Sequence, residues 1–178
     1  MANDHIAADW LRLGDEAFLK LCREERYRAS GPGGQRRNKV ETAVRLHHVP
    51  TGITAQAEES RSHAENRAHA LRRLRLRLAT ELRSPFDLAQ PVVGPELIKQ
   101  RTPEGRLPVN PSNPAYPLIA ATVLDALHAA DGGYAGAAKA LGLTTSQLMR
   151  FLRSDPELWR AMKQNQSHTA DETTRPSK

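Results

Sequence analysis

The sequence predicts an α+β fold: a small domain of mixed sheet with a long packing helix, then a proline-rich linker, then a small all-α helical module. Three observations carry this. Stretches 43–49 and 53–57 alternate apolar and polar residues on either side of Pro50-Thr51-Gly52. An apolar stripe at helical spacing then runs from Ala64 to Leu82. Eight of the twelve prolines fall between Pro85 and Pro117, and helical patterning resumes only beyond them.

In chain order, Asp15 is placed to cap a short helix that buries Ala17, Phe18, Leu21 and Cys22. An extended stretch, Glu25 to Ser30, leads into a glycine loop. Val44, Leu46 and His48 then share one face of a strand, Pro50-Thr51-Gly52 supplies the turn, and Ile53, Ala55 and Ala57 alternate back, giving a hairpin. Ser62 with Glu65 forms a capping box for a helix whose buried stripe is Ala64, Ala68, Leu71, Leu74, Leu78 and Leu82. Strands followed by one long covering helix make an α+β domain over residues 1–84.

Residues 85–117 form a semi-rigid connector, because so many prolines exclude a continuous helix or a central strand; one short turn is expected around Glu96 to Lys99. Residues 118–164 form the helical module. It breaks at Asp131-Gly132-Gly133, ends a helix at Gly142, and starts the next with the capping pair Thr144 and Gln147. Asp155-Pro156 opens a further helix with Leu158, Trp159 and Met162 inside. The Ala-Ala-x-x-Leu-Gly-Leu-Thr run is similar to the helix-turn-helix of small DNA-binding regulators, whose second helix would offer Thr145, Gln147, Arg150 and Arg153 to a groove. A module that only packs or binds protein fits the same pattern. Residues 165–178 read as a polar, disordered tail.

Composition narrows the partners. The 178 residues carry a net charge of +6, with 20 arginines against 6 lysines. Guanidinium forks match phosphates and stack on bases, so an arginine-biased basic chain leans towards nucleic acid. No hydrophobic span or basic amphipathic anchor points to a membrane, and the N-terminus has neither a secretory nor a transit pattern. The lone Cys22 excludes an internal disulfide or a cysteine zinc site and suits a buried helical position, so a reducing, cytoplasmic setting is expected. Catalytic alternatives are poor. Ser30 has no evident base, His47 and His48 point to opposite faces of a strand, and His63 and His69 are six apart on a helix and read as solvated. No metal site, nucleotide loop or cofactor is indicated.

The chemistry concentrates in Ser30-Gly31-Pro32-Gly33-Gly34-Gln35-Arg36-Arg37-Asn38-Lys39. Gly33 and Gly34 accept positive φ and have no Cβ, so the backbone N–H of Gln35 can approach a reacting centre. A backbone donor aimed at developing charge needs no proton transfer of its own. With Lys39-Val40-Glu41-Thr42-Ala43-Val44-Arg45-Leu46, Pro50-Thr51-Gly52-Ile53, Arg61-Ser62 and Asn66, the stretch from Arg26 to Leu78 resembles the GGQ domain of class I peptide chain release factors and related ribosome-rescue hydrolases.

That resemblance implies a peptidyl-tRNA hydrolase acting at the peptidyl transferase centre of the large ribosomal subunit. Gly33, Gly34 and Gln35 would be the catalytic residues, with the Gln35 N–H on the developing charge and its side chain beside the attacking water. Arg36, Arg37, Asn38 and Lys39 would hold ribosomal RNA. Arg61, Arg67, Arg72 and Arg73 join them as RNA-binding candidates; an arginine run on a helix (here Arg67, Arg72, Arg73, Arg75 and Arg77) serves either as a solvated face or as phosphate contacts. Gln35 would be the target of a glutamine methyltransferase.

The chain departs from the family at two positions: Arg36 stands where most members have His, Asn or Ser, and His63 where Gln is common. Stop-codon-reading members carry a long additional domain, for which no matching segment is found here. Codon-independent members end in a basic tail, whereas the last fifteen residues here hold Arg175 and Lys178 against Asp171 and Glu172. The expected function is codon-independent release from stalled ribosomes. The alternatives are a non-catalytic ribosome- or nucleic-acid-binding regulator that keeps the GGQ fold, and a stop-codon-dependent factor.

Overall fold

Strands β1 (Cys22–Tyr27), β2 (Ala43–His48) and β3 (Thr54–Ala57) form one sheet in the order β1-β2-β3. Both pairings are antiparallel, so the described sheet is antiparallel where a mixed one was expected. The computed structural model describes residues 7–28 and 42–172, with side chains to Gln164. These fall into two units, Trp10–Leu78 and Ala79 onward together with the residues before Trp10.

In the first unit, short helices α1 (Ala7–Arg12) and α2 (Asp15–Leu19) precede the sheet, and α3 (His63–Glu81) comes after it. The central strand buries Val44, Leu46 and His48 on alternate positions, and β3 adds Ala55 and Ala57. Ala70, Leu71, Leu74 and Leu78 of α3 are buried as well; burying one such leucine contributes about 1.5–3 kcal/mol. The tight turn after β2 closes with Gly52 at φ 73°.

Several expectations are corrected. Asp15 is the first helical residue of α2 and not its cap; Gly14 occupies the cap position without a side-chain bond. Asp15 instead accepts a 3.0 Å bond from Arg75. Cys22 opens β1 and does not end a helix, so the strand begins three residues earlier than the hydrophobic pattern suggests. An edge strand written Cys-Arg-Glu-Glu-Arg-Tyr carries charges on both faces and shows no apolar alternation. On α3, Ala64 and Ala68 are exposed. The true inner stripe includes two polar residues, Asn66 and Arg75, that a hydrophobic count passes over.

Arg75 explains the entry into the fold. Its guanidinium lies 4.4 Å from the centre of the Phe18 ring and donates to the carbonyls of Leu11 (3.0 Å) and Leu13 (2.7 Å). Those carbonyls end α1 and would otherwise lack partners. One buried cation thus ties α1, α2 and α3 together.

In the second unit, α4 (Pro95–Gln100), α5 (Tyr116–Ala129), α6 (Tyr134–Leu141), α7 (Thr145–Arg153) and α8 (Pro156–Glu172) surround a core of Tyr116, Ile119, Leu124, Leu141, Leu148, Leu152 and Leu158. Asp125 on α5 accepts from the Ser84 amide at 2.9 Å. Asp155 caps α8 through the Glu157 amide at 2.8 Å and accepts the Tyr116 hydroxyl at 3.1 Å. The α8 backbone stays helical to Glu172, past the point at which a disordered tail was expected, since no breaker occurs in that run.

The proline-rich stretch is more than a spacer. It carries α4 and buries Leu97, Leu107 and Val109. Arg101 donates to the Leu141 carbonyl at the end of α6 (2.7 Å), and Gly105 packs beside the backbone of Thr144. Gly142 takes the left-handed conformation (φ 65°), and the Thr144 side chain caps α7 by accepting from the Gln147 amide, both as the sequence predicts.

Candidate functional site

The register of β1 and β2 sets the base of the glycine loop. Tyr27 lies directly opposite Ala43, so the chain leaves and re-enters the sheet at one point on its edge. Gln35 is eight residues from either anchor. It is therefore the position that covalent geometry allows furthest from the sheet, at most about 26–29 Å. Gly33, Gly34, Gln35, Arg36, Arg37, Asn38 and Lys39 themselves lie outside the described residues.

The frame around both anchors lies within the described residues. On the re-entry side, fully buried Asn66 of α3 donates to the Thr42 carbonyl and to the Ser60 carbonyl, each at 2.8 Å. Its Oδ1 accepts the Ser60 amide at 2.9 Å. One amide thereby satisfies three backbone groups from two separate segments, using its carbonyl oxygen and both N–H donors. The start of α3 is fastened by the Ser62 hydroxyl, which accepts the Glu65 amide at 3.3 Å. The reciprocal half of the expected capping box differs: the Glu65 carboxylate accepts the Ser60 hydroxyl instead.

On the exit side, strand parity puts Glu24 on the α3-facing side of β1, opposite Leu46. There it accepts Arg67 Nε at 2.8 Å and contacts His63 Nε2 at 3.0 Å. Partial burial raises the Glu24 carboxyl, but the Arg67 and His63 bonds outweigh it and hold the group below its ordinary value. His63 is accordingly a partner of Glu24 and not a solvated histidine. On the other face, Arg45 stands over the Tyr27 ring at 5.1 Å and donates to Gln56, while Tyr27 donates its hydroxyl to Glu58 at 3.1 Å.

The arginines predicted to meet RNA divide into two sets. Arg67 is engaged by Glu24, and Arg73 by Glu59 and the Gln56 carbonyl at 2.7 Å. Arg61 and Arg72 are exposed and have no partner among the described residues. Of the other arginines of the run, Arg75 is buried in the fold and Arg77 donates to the Thr54 carbonyl.

His47 and His48 do point to opposite faces: His47 meets Glu25 at 3.0 Å, and His48 is buried against Trp10 and Phe18. Burial also pushes the Cys22 thiol up to about 11, so it stays protonated and is a poor nucleophile. Among the described residues no cluster of His, Cys, Asp and Glu is suited to a metal ion, and no helix is long and apolar enough to cross a membrane.

The described frame is thus a three-stranded antiparallel sheet backed by α3, with Gly33-Gly34-Gln35 falling in sequence between the paired residues Tyr27 and Ala43. Residues 19–90 match the RF-1 domain family. The chain is 52% identical over 64 residues to peptide chain release factor 2 of Campylobacter concisus, covering 36% of this chain and 17% of the relative. It is 50% identical over 70 residues to peptide chain release factor 1 of Acidiphilium cryptum (39% and 19%). It is 39% identical over 125 residues to peptide chain release factor 1 of Delftia acidovorans (61% and 35%). The chain thus spans about a sixth to a third of the length of these relatives.

Proposed function

We propose that this chain hydrolyses the ester between nascent peptide and tRNA on the ribosome, and does so without reading a codon. The observation that carries the proposal is the intact Gly33-Gly34-Gln35 within the matched RF-1 segment, midway in sequence between Tyr27 and Ala43, which pair directly in the sheet. The Gln35 backbone N–H stabilises the charge that develops on the ester oxygen, and its side chain positions the water. Water adds to the carbonyl carbon, the bond to the ribose oxygen breaks, and that oxygen takes the proton. The ribosome supplies most of the site; the protein contributes position and one aimed dipole. Arg36, Arg37, Asn38 and Lys39 hold ribosomal RNA at the loop, and Arg61 and Arg72 extend that contact. The partners are therefore large-subunit RNA and peptidyl-tRNA, in the cytoplasm, with Gln35 open to a glutamine methyltransferase.

The codon-independent reading draws on the helical unit that follows the RF-1 segment, where Arg150 and Arg153 stand exposed on α7. The names of the matched relatives favour a second reading, stop-codon-dependent release. Release of labelled nascent peptide separates the two. Stalled ribosomes lacking an A-site codon should be cleared by wild type and not by Gly34→Ala or Gln35→Ala, with binding to the ribosome retained. A strict requirement for a stop codon would overturn the codon-independent reading, and binding without any release would overturn hydrolysis altogether.

A further inference from the structure

The outer face of α7 takes no part in the core of the helical unit. Leu148, Phe151 and Leu152 turn inward and are buried. Thr145, Ser146, Met149, Arg150 and Arg153 remain outside, lining a shallow open groove with Ser154. Arg150 and Arg153 are exposed and meet no carboxylate among the described residues, and α7 itself contains no acidic residue. The Arg153 guanidinium lies 5.3 Å from the centre of the Trp159 ring, and Lys163 lies 5.4 Å from the same ring. The cationic strip therefore turns from α7 onto α8 around one indole. Gathering like charges on adjacent turns costs energy that a bound polyanion returns.

The distribution of side chains decides which polyanion. A helix that reads base edges in a B-form major groove presents Arg, Asn or Gln from its first turns. Here the first turns present Thr145, Ser146 and Met149, and Gln147, the expected reader, is half-buried. The cations sit in the second half of the helix and continue sideways along the surface. That pattern meets a phosphate backbone and does not probe a groove. A-form RNA, with its shallow minor groove flanked by phosphates, is met by such a surface.

We propose that the α7–α8 face binds the backbone of duplex RNA independently of sequence, giving this chain a second ribosomal contact, an inference that rests on the ribosome-directed function proposed for the loop. The test titrates the full chain with an RNA duplex of about 16 base pairs and with DNA of the same sequence, over a range of salt. Arg150→Gln/Arg153→Gln should weaken RNA binding about equally for unrelated sequences and lower the salt slope by about two, and Arg150→Gln alone, which leaves the Arg153–Trp159 contact in place, should lower it by about one with the melting curve unchanged. An unchanged slope would overturn the proposal, as would tighter, sequence-dependent binding to DNA. Loss of peptide release in wild type with arginine-dependent RNA binding intact would instead remove the hydrolase reading and leave this surface standing.

Discussion

Asn66 of α3 and Thr42 at the threshold of β2 are joined by a 2.8 Å hydrogen bond, so the first residue of the loop's return path is fixed by a helix and not by the sheet alone. The same amide also holds Ser60 through both its N–H and its carbonyl. Asn66→Ala should leave these groups without partners at a cost of about 2–4 kcal/mol, read by chemical denaturation. Asn66→Asp should fare no better, because a carboxylate cannot donate to the two carbonyls. Either variant within about 0.5 kcal/mol of wild type would show that the clamp is dispensable.

Glu24 adds a pH-dependent fastening at the other anchor. Its carboxyl titrates below its ordinary value of 4.5, so the stability it contributes is present above that value and lost as pH falls through the native one. Glu24→Gln should cost about 0.5–1 kcal/mol at neutral pH, typical of a half-exposed pair, and should flatten the acid limb of the stability curve. An unaltered acid limb would place the titration elsewhere.

His48 works in the same direction at higher pH. Burial against Trp10 and Phe18 lowers its pKa, so the unfolded chain takes up a proton that the native state does not. Stability should therefore be full above the ordinary value of 6.5 and decline as pH drops below it. Thermal melts at pH 7.5 and pH 5.5 should show a smaller difference for His48→Gln than for wild type, whatever the absolute stability of the variant. Equal differences would sink the assignment.

Gly142 is constrained twice over. Its φ is 65°, and a Cβ there would come within 1.8 Å of Arg101 Nη1, the group that caps the Leu141 carbonyl. Gly142→Ala should cost about 1–3 kcal/mol from backbone strain and the displaced cap. Arg101→Ala/Gly142→Ala should lose less than the sum of the single variants, since both act through one contact.

Arg61 and Arg72 differ from Arg67 and Arg73 in having no internal partner among the described residues. Arg61→Gln/Arg72→Gln should leave the melting temperature within a degree or so while weakening binding to large ribosomal subunits with a reduced salt dependence. Arg67→Gln should instead lower stability measurably through its lost bond to Glu24. A drop in melting temperature in the first variant without loss of binding would reverse these roles.

The elements that announce themselves by pattern were legible in the sequence: the hairpin around Pro50-Thr51-Gly52, the long helix, the Gly142 stop and the Thr144 cap. β1 was displaced because an edge strand of charged residues shows no apolar alternation. With its start misplaced, the parity that turns Glu24 towards Arg67 and His63 could not be read. Asn66 and Arg75 were hidden for a different reason. Both are polar residues in the buried stripe of a helix, and their partners are backbone carbonyls, which leave no trace in side-chain spacing. The bracing of the α6–α7 turn by Arg101 and Gly105 was concealed in a stretch whose prolines advertise only that it is not regular.

The direct pairing of Tyr27 with Ala43 gives the loop a property independent of its own sequence. Because its two ends are direct partners in the ladder, adding or removing residues equally on either side of Gln35 changes the depth that covalent geometry allows without shifting the sheet register. Depth and foundation are thus separate variables. The number of residues between these anchors can vary while the fold that bears them stays the same.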